Sequence, residues 1–468
     1  MMFSLLQLCS TALTHVKKAE EEHFLTVESV LGEFELTNEI LRRVMADLNR
    51  QMDIGLQSGL EESSVAMLPS FVPTLTDGSE RGKFLALDLG GTNLRVLLMN
   101  VDGQENASES RNFKIPNSAM TGSGTALFDF IVDCMALFLN EKQLMDVELP
   151  LGFTFSYPCD QVSLHSAVLI RWTKGFTASG VVGKDVVQIL REAITKNGKI
   201  KIGQISLIND TVGTLVASGE EYPTCVLGVI VATGTNGAYF EQTSNIPKLN
   251  VTYPYEQMII DTEWGAFGDR GEIDYVKTRY DRIVDSRSVH PGEYSFDKLV
   301  AGMYMGEIVR LVLERLVASG LLFSGRGSDL LCTIGAFPTK FISEILGDQG
   351  GYMYNARQAL EELGIDGYTY SDLLILREVC MVVSRRSANL AAAAIAGVVN
   401  RIGRKKATVG IDGSTYRFHP FFHAWVYEKA RQLVNPHIDL NLVQAGDGSG
   451  KGAALVAAIA HKLESRKK

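Results

Sequence analysis

"LALDLGGTNLRVLLMN", residues 85–100, reads as two apolar strands interrupted by residues that do not pack. Leu85, Ala86 and Leu87 lead into an acid, Asp88; Gly90, Gly91, Thr92 and Asn93 follow; Leu94, Val96 and Leu98 then resume the alternation of a half-buried strand. The break recurs. "LGVIVATGTNGAYFE" (227–241) repeats the plan of apolar strand, Gly-Thr-Asn turn and returning strand. "VGIDGSTYRF" (409–418) carries Asp412-Gly413-Ser414, and "AGDGSGKGAAL" (445–455) precedes a helical pattern. Glycines let backbone N–H groups approach an anion, and a following helix N-terminus adds a favourable dipole. The matched turns therefore predict a nucleotide clamp between two similar halves. Neither GxxxxGK[ST] nor GxGxxG occurs, which excludes the P-loop and Rossmann modes.

The bulk numbers fit a large water-facing protein. The chain has 468 residues, 46% hydrophobic and 21% charged, enough for two to four domains with sizeable cores. A net charge of −9 argues against nucleic acid as a partner, because phosphate neutralisation needs a basic surface. The cysteines at 9, 134, 159, 225, 332 and 380 form no CxxC pair and read as thiols in a reducing compartment. His419 and His423 stand four apart without an acid or cysteine beside them, so a helix start is expected there rather than a metal site. No run approaches the roughly 20 apolar residues of a membrane span. The N-terminal "MMFSLLQLCSTALTHVKK" lacks signal- and transit-peptide character and reads as a helix docking on the body, a short outer-membrane anchor being the other reading.

Along the chain, residues 25–61 read as helices, with Thr37 a cap for the second. Strands are expected to about 115, a helix at 124–140, a strand at 149–158, a helix at 181–198 closed by Gly198, and a strand at 201–210. A hairpin follows at 225–241, long helices at 296–320 and 372–403, a strand and helix at 407–420, and a strand, glycine loop and helix at 440–468. The alternation favours an α/β architecture.

In "LDLGGTNLRV", "LGFTFSYP", "RWTKGF", "NDTVGTL", "TGTN", "TEWGAFGD", "AGMYMGEIVRLVL", "VGIDGS" and "DGSGKGAAL", taken in that order, the chain resembles the hexokinase family of the actin-like ATPase superfamily over nearly its whole length. The resemblance implies a two-lobed actin-like (ribonuclease H-like) α/β fold around a sugar cleft. Residues 75–208 with a C-terminal helix at 449–468 would form the small lobe, and 1–74 with 209–448 the large one. It implies ATP-dependent phosphorylation of the 6-hydroxyl of glucose and related hexoses, with Mg²⁺ accompanying ATP. The expected enzyme is a cytoplasmic monomer.

A hexose presents a ring of hydroxyls, each donor and acceptor, so its site needs Asp, Glu, Asn, Ser and Thr. By resemblance, Ser156, Thr173, Lys174, Asn209, Asp210, Asn236, Glu263 and Asp297 bind the sugar. Phosphoryl transfer is mostly positioning and charge stabilisation, with a carboxylate accepting the hydroxyl proton. Asp210 would take that proton and Lys174 would offset charge at the reacting oxygens. Read alone, Asp210 in "NDT" is better taken as an N-cap, and the surrounding motifs turn the reading to catalysis. Asp88 would hold waters on Mg²⁺, and Gly90, Gly91, Thr92 and Asn93 would approach the β- and γ-phosphates. Arg95 reads either as a phosphate contact or as a structural ion pair. Thr233 belongs to the second phosphate turn, and Gly302, Thr333, Gly335 and Ser414 to the nucleotide side.

The chain departs from the family's pattern in places. Ala232 replaces the first glycine of the second phosphate turn, which puts close backbone approach in question. Asp261 stands where the family has Asn before Thr-Glu-Trp-Gly. In "PGEYSFDK" (291–298), Tyr294 replaces Gln and Asp297 replaces Glu. Two other functions are compatible with parts of the pattern: a hexokinase-derived sugar-binding regulator with little turnover, and an actin-like filament or chaperone ATPase. The second has no use for "WTKGF" and "TEWGAFGD".

Overall fold

The computed structural model describes residues 27–102, 106–173 and 175–466; the expected N-terminal docking helix lies outside them. In chain order the first strands are β1 (Leu68–Pro69), β2 (Gly82–Leu89), β3 (Asn93–Val101), β4 (Ala107–Lys114), β5 (Leu149–Phe155), β6 (Cys159–Ser163) and β7 (Ser166–Leu169). They continue as β8 (Ile202–Ile208), β9 (Cys225–Val231), β10 (Thr235–Gln242), β11 (Gln257–Asp261), β12 (Lys406–Asp412) and β13 (Asp439–Gln444). One sheet runs β4-β3-β2-β5-β8, a second runs β1-β11-β10-β9-β12-β13, and β6-β7 is a small ladder. Each sheet mixes an antiparallel hairpin with parallel neighbours: β2, β5 and β8 are parallel, and so are β9, β12 and β13. Parallel neighbours end on the same edge, where ligands of such sheets bind.

The local signals mostly set the element ends. Thr37 caps the Asn38–Ser58 helix by accepting from the Ile40 amide, and Gly198 closes the Val186–Asn197 helix in the left-handed region at φ 65°. That helix starts later than its 181–198 pattern, because Asp185 takes the amides of Val187 and Gln188 and fixes the first turn there. The expected helix at 296–320 is two, Ser295–Val300 and Gly302–Ala318, divided at extended Ala301. There the Gly302 amide donates to the Ala232 carbonyl instead of continuing the first helix. By length and composition the Tyr370–Ile402 helix meets the criterion for a membrane span, unlike the sequence expectation, but Leu390 to Ala396 lie wholly in the core.

Between the two sheets lie two helices, Asp210–Glu221 and Gly448–Ser465. Phe84, Ala86, Leu97 and Met99 of the five-stranded sheet share one buried cluster with Val212, Leu215, Val216, Ala238, Ile259 and Ala453 to Ala460. Glycines set how closely these layers approach. A Cβ on Gly452 would stand 2.2 Å from the Gly213 carbonyl oxygen, and one on Gly152 of β5 would stand 2.0 Å from that of Ala453. A Cβ on Gly228 of β9 would meet the Leu215 amide nitrogen at 2.5 Å. Backbone lies on backbone at each crossing, so no rotamer change can relieve an added methyl.

Gly452→Ala is therefore expected to lower the thermal unfolding midpoint by the equivalent of about 1–3 kcal/mol, the scale of an overpacked core. Gly32→Ala, in a helix with nothing within 4 Å of its added Cβ, should hold or raise the midpoint. Equal midpoints for both variants in scanning calorimetry would show that the helix crossing has room to spare.

Candidate active site

The opening hairpin places Asp88 opposite Arg95 in the β2–β3 register, and the Gly90 amide closes the turn onto the Asn93 carbonyl at 2.9 Å. Thr92 and Asn93 are exposed at its tip, with Gly90 and Gly91 half-buried. Asp88 accepts a hydrogen bond of 2.6 Å from the Ser449 hydroxyl, in the fourth glycine turn. Arg95 pairs with Asp447 of that same turn, so the structure bears out its ion-pair reading. Asp412 binds the third turn to the fourth: one oxygen accepts from the Gly413 amide at 2.7 Å, the other from the Gly448 amide at 3.2 Å. Burial pushes the Asp412 carboxyl above its ordinary value, the two amides pull it back, and the charges of Asp447 and Asp210 push it up again.

The second turn is tied in by the Ala232 carbonyl, which accepts from the Gly302 amide at 2.8 Å and the Thr415 hydroxyl at 3.3 Å. Gly302 and Thr415 thus meet at the Ala232 carbonyl, and Thr233 and Ser414 are their chain neighbours at this point. A Cβ on Gly302 would stand 2.4 Å from the Thr415 hydroxyl, which explains its glycine. Ala232 is not among the residues with positive φ, so the turn does not need glycine there and the departure leaves the backbone path intact. Thr333 and Gly335 lie on an exposed segment joined to this region by Glu307, which accepts from the Gly335 amide at 3.0 Å.

The sugar-type residues collect at strand ends. Ser156 follows β5, Asn209 and Asp210 follow β8, Asn236 is the second residue of β10 and Glu263 follows β11. Asn209 caps the helix, accepting from the Thr211 amide at 2.8 Å, and Asp210 is the first helical residue. The cap reading of Asp210 therefore passes to its neighbour. The Asn209 and Asn236 side-chain amides both donate to one Glu263 oxygen at 3.3 Å. The Ser156 hydroxyl is buried without a protein partner, as a ligand contact would leave it. Thr173 is half-buried on a loop anchored by Trp172, whose indole donates to the Ala178 carbonyl at 2.8 Å. Lys174 lies outside the described residues.

Asp297 accepts from the Thr235 amide at 2.7 Å, beneath the second turn, so the shortened acid spends one oxygen on backbone. Tyr294 turns to Arg171, whose guanidinium lies 4.9 Å from its ring centre, while Arg171 also pairs with Glu293 at 3.1 Å. Glu263 and Tyr294 both hold the left-handed region, at φ 52° and 59°. Such strain at a non-glycine residue costs on the order of 1 kcal/mol and gathers at functional sites. Asp412, Asp447 and Ser449 were not selected from sequence as site residues. Their signal was the same acid-before-glycine pattern as Asp88, without the matched Gly-Thr-Asn turn.

Phosphate-type turns together with a cluster of carboxylates and amides, both carried on strand ends of the two sheets, fit a phosphotransferase acting on a hydroxyl-bearing substrate. Comparison with known proteins narrows this class. Family models described as hexokinase match residues 26–219 and 226–459. A hexokinase of Brugia malayi is 56% identical over 452 residues, covering 95% of this chain and 79% of that protein. Homo sapiens hexokinase-2 is 42% identical over 93% of the chain, which spans only 48% of the human protein. The structure of a Schistosoma mansoni hexokinase complexed with glucose superposes with a TM-score of 0.86 at 39% identity, covering 94% of this chain and 99% of that one. The chain belongs to the hexokinase family.

If Glu263 is held in its left-handed conformation for function, Glu263→Gly relieves strain as it removes the acceptor of two amides. Relieved strain is worth about 1 kcal/mol, whereas stranding two amide donors costs about 1–3 kcal/mol, so the variant is expected to unfold below the parent in scanning calorimetry. A higher midpoint would mean that the conformation strains the fold more than the side chain stabilises it.

Proposed function

We propose that this chain transfers the γ-phosphoryl group of ATP to the 6-hydroxyl of glucose and related hexoses. The observation that carries the reading is the place of Asp210. Its neighbour Asn209 donates to Glu263 in the carboxylate–amide pocket, and the helix that Asp210 opens packs at Gly213 against Gly448 of the fourth glycine turn, which supports a place for Asp210 between the two. The sugar oxygen would form the new bond to the γ-phosphorus as the bond to the bridging oxygen breaks and ADP departs. Asp210 accepts the hydroxyl proton, and Lys174 offsets charge at the reacting oxygens. Asn209, Asn236, Glu263, Ser156, Thr173 and Asp297 orient the hexose.

Among the described residues no group of three or more His, Cys, Asp or Glu side chains forms a metal cage. Asp88, half-buried with Ser449 on one oxygen, suits a single carboxylate that holds the waters of a cation arriving on ATP. Magnesium so bound would neutralise charge on the β- and γ-phosphates. In the same proposal the sugar lies between a lobe of residues 75–208 with helix 449–468 and a lobe of 1–74 with 209–448, and closure excludes the water that competes as acceptor. All strands of the five-stranded sheet fall between residues 82 and 208, which supports that division. A cytoplasmic enzyme fits the reading.

Two experiments test it. Asp210→Ala should lower kcat by about 100-fold or more in a coupled assay for ADP with glucose, the scale of a positioned base. Retention of most of the kcat would remove Asp210 from that role. The loop is tested separately. An aspartate carboxylate stops roughly 1.5 Å short of a glutamate's for a fixed backbone. A lost hydrogen bond to a charged group costs about 1.5–3 kcal/mol. Tyr294→Gln combined with Asp297→Glu is expected to lower the glucose KM several-fold with kcat less affected. An unchanged or higher KM would show that the Thr235 contact already compensates for the shorter acid.

A further inference from the structure

Asp261 ends β11, buried between Leu68 of β1 and Ala238 of β10, and only 5% exposed. One of its oxygens accepts from the Asn236 side-chain amide at 2.7 Å. The same nitrogen donates to Glu263 at 3.3 Å, so the two carboxyl groups converge on one NH₂. Asn236 has no freedom to turn over: its own oxygen accepts from the Gly237 amide at 2.7 Å and the Thr262 hydroxyl at 3.2 Å. Asp261 is buried and Glu263 half-buried, so two carboxylates that accept from one nitrogen repel each other, and no lysine or arginine among the described residues is a partner of Asp261. One proton between them removes the conflict.

We propose that Asp261 is a positioning residue of the sugar pocket, holding Asn236 with one oxygen and Glu263 with the other through a single proton shared with Glu263. The arrangement satisfies every group. The Asp261 hydroxyl donates to Glu263, the other Asp261 oxygen accepts from Asn236, and Glu263 keeps a net negative charge to accept a hydroxyl of the substrate. The electrostatics agree. Burial pushes the Asp261 carboxyl well above the usual range, the charge of Glu263 and the hydrogen bond to it push further, the Asn236 amide pulls back, and Asp210 adds a smaller upward push. Leu68 and Ala238, its partners in the sheet, carry no charge, and among the described residues the titratable groups acting on it are Glu263 and Asp210.

The consequence is directional. Loss of the shared proton at alkaline pH takes the donor from Glu263 and leaves two adjacent charges, so the pocket loses its geometry. This rests on the proposed glucose kinase activity, and it is read first as the pH dependence of the glucose KM at saturating ATP. Above the midpoint of the pair, KM for the parent should rise, approaching about tenfold per pH unit if the ionised pocket does not bind. Asp261→Asn supplies an N–H donor to Glu263 and an oxygen to Asn236 without a titratable proton. Its KM should stay flat over that range, with the difference in KM and not in the pH course of kcat. Asp261→Ala should raise KM at every pH.

A second readout needs no activity. Infrared difference spectra of the parent minus Asp261→Asn at neutral pH should show the C=O band of a protonated carboxyl. A parent whose KM is flat into the alkaline range, an Asp261→Asn profile parallel to the parent's, or the absence of that band would each overturn the proposal. Absence of ADP formation with glucose at any pH, with the infrared band present, would overturn the kinase reading and leave the proton assignment standing.

Discussion

The close crossing of the Asp210–Glu221 and Gly448–Ser465 helices holds the molecule in its working arrangement. At this crossing Gly213 and Gly452 bring backbone against backbone, because no side chain keeps the two axes apart. On the outer sides the same helices lie on Gly228 of one sheet and Gly152 of the other, through Leu215 and Ala453. Close packing of this kind is intolerant of added volume. It fixes the distance between the sheets, and with it the distance between everything mounted on their strand ends.

Both helices begin at the site, which links this packing to chemistry. The first starts with Asn209 and Asp210, and the second with Asp447, Gly448 and Ser449. Ser449 reaches Asp88 and Asp447 reaches Arg95, so the second helix is tied at its N-terminus to the β2–β3 hairpin. Asp412 ties the same turn to the other sheet through the Gly448 amide. A relative shift of the two sheets must pass through these few bonds and the helix crossing beneath them.

The carboxylate–amide pocket is organised differently, in one hydrogen-bonded chain. Asn209, Glu263, Asn236 and Asp261 are linked in sequence across three strand ends. Glu263 holds a left-handed backbone conformation while serving as the shared acceptor, an example of local strain accepted where geometry matters more than stability. Nearby, Thr235 is held from above by Trp264, whose indole donates to its hydroxyl at 3.2 Å, and from below by Asp297. The phosphate-type turn and the pocket therefore share a wall.

The sequence by itself determined the breaks. Asp88 with its two glycines, the repeated Gly-Thr-Asn and the two Gly-Ser turns have no place in a packed strand unless a ligand uses the backbone they expose. Together with the ordered motifs they made the two-lobed α/β fold legible, and local capping chemistry made Thr37 and Gly198 legible as helix ends. Tertiary structure decided the pairings, because a partner hundreds of residues away leaves no local trace. Sequence could not tell that Arg95 binds Asp447, that Asn209 rather than Asp210 caps the helix, or that Asp412 bridges two turns. Nor could it show that the helix expected at 296–320 breaks because the Ala232 carbonyl claims the Gly302 amide. Asp261 shows the division most clearly: its identity is a single letter, but whether that acid carries a charge depends on burial and on Glu263 beside it, and only the fold brings those together.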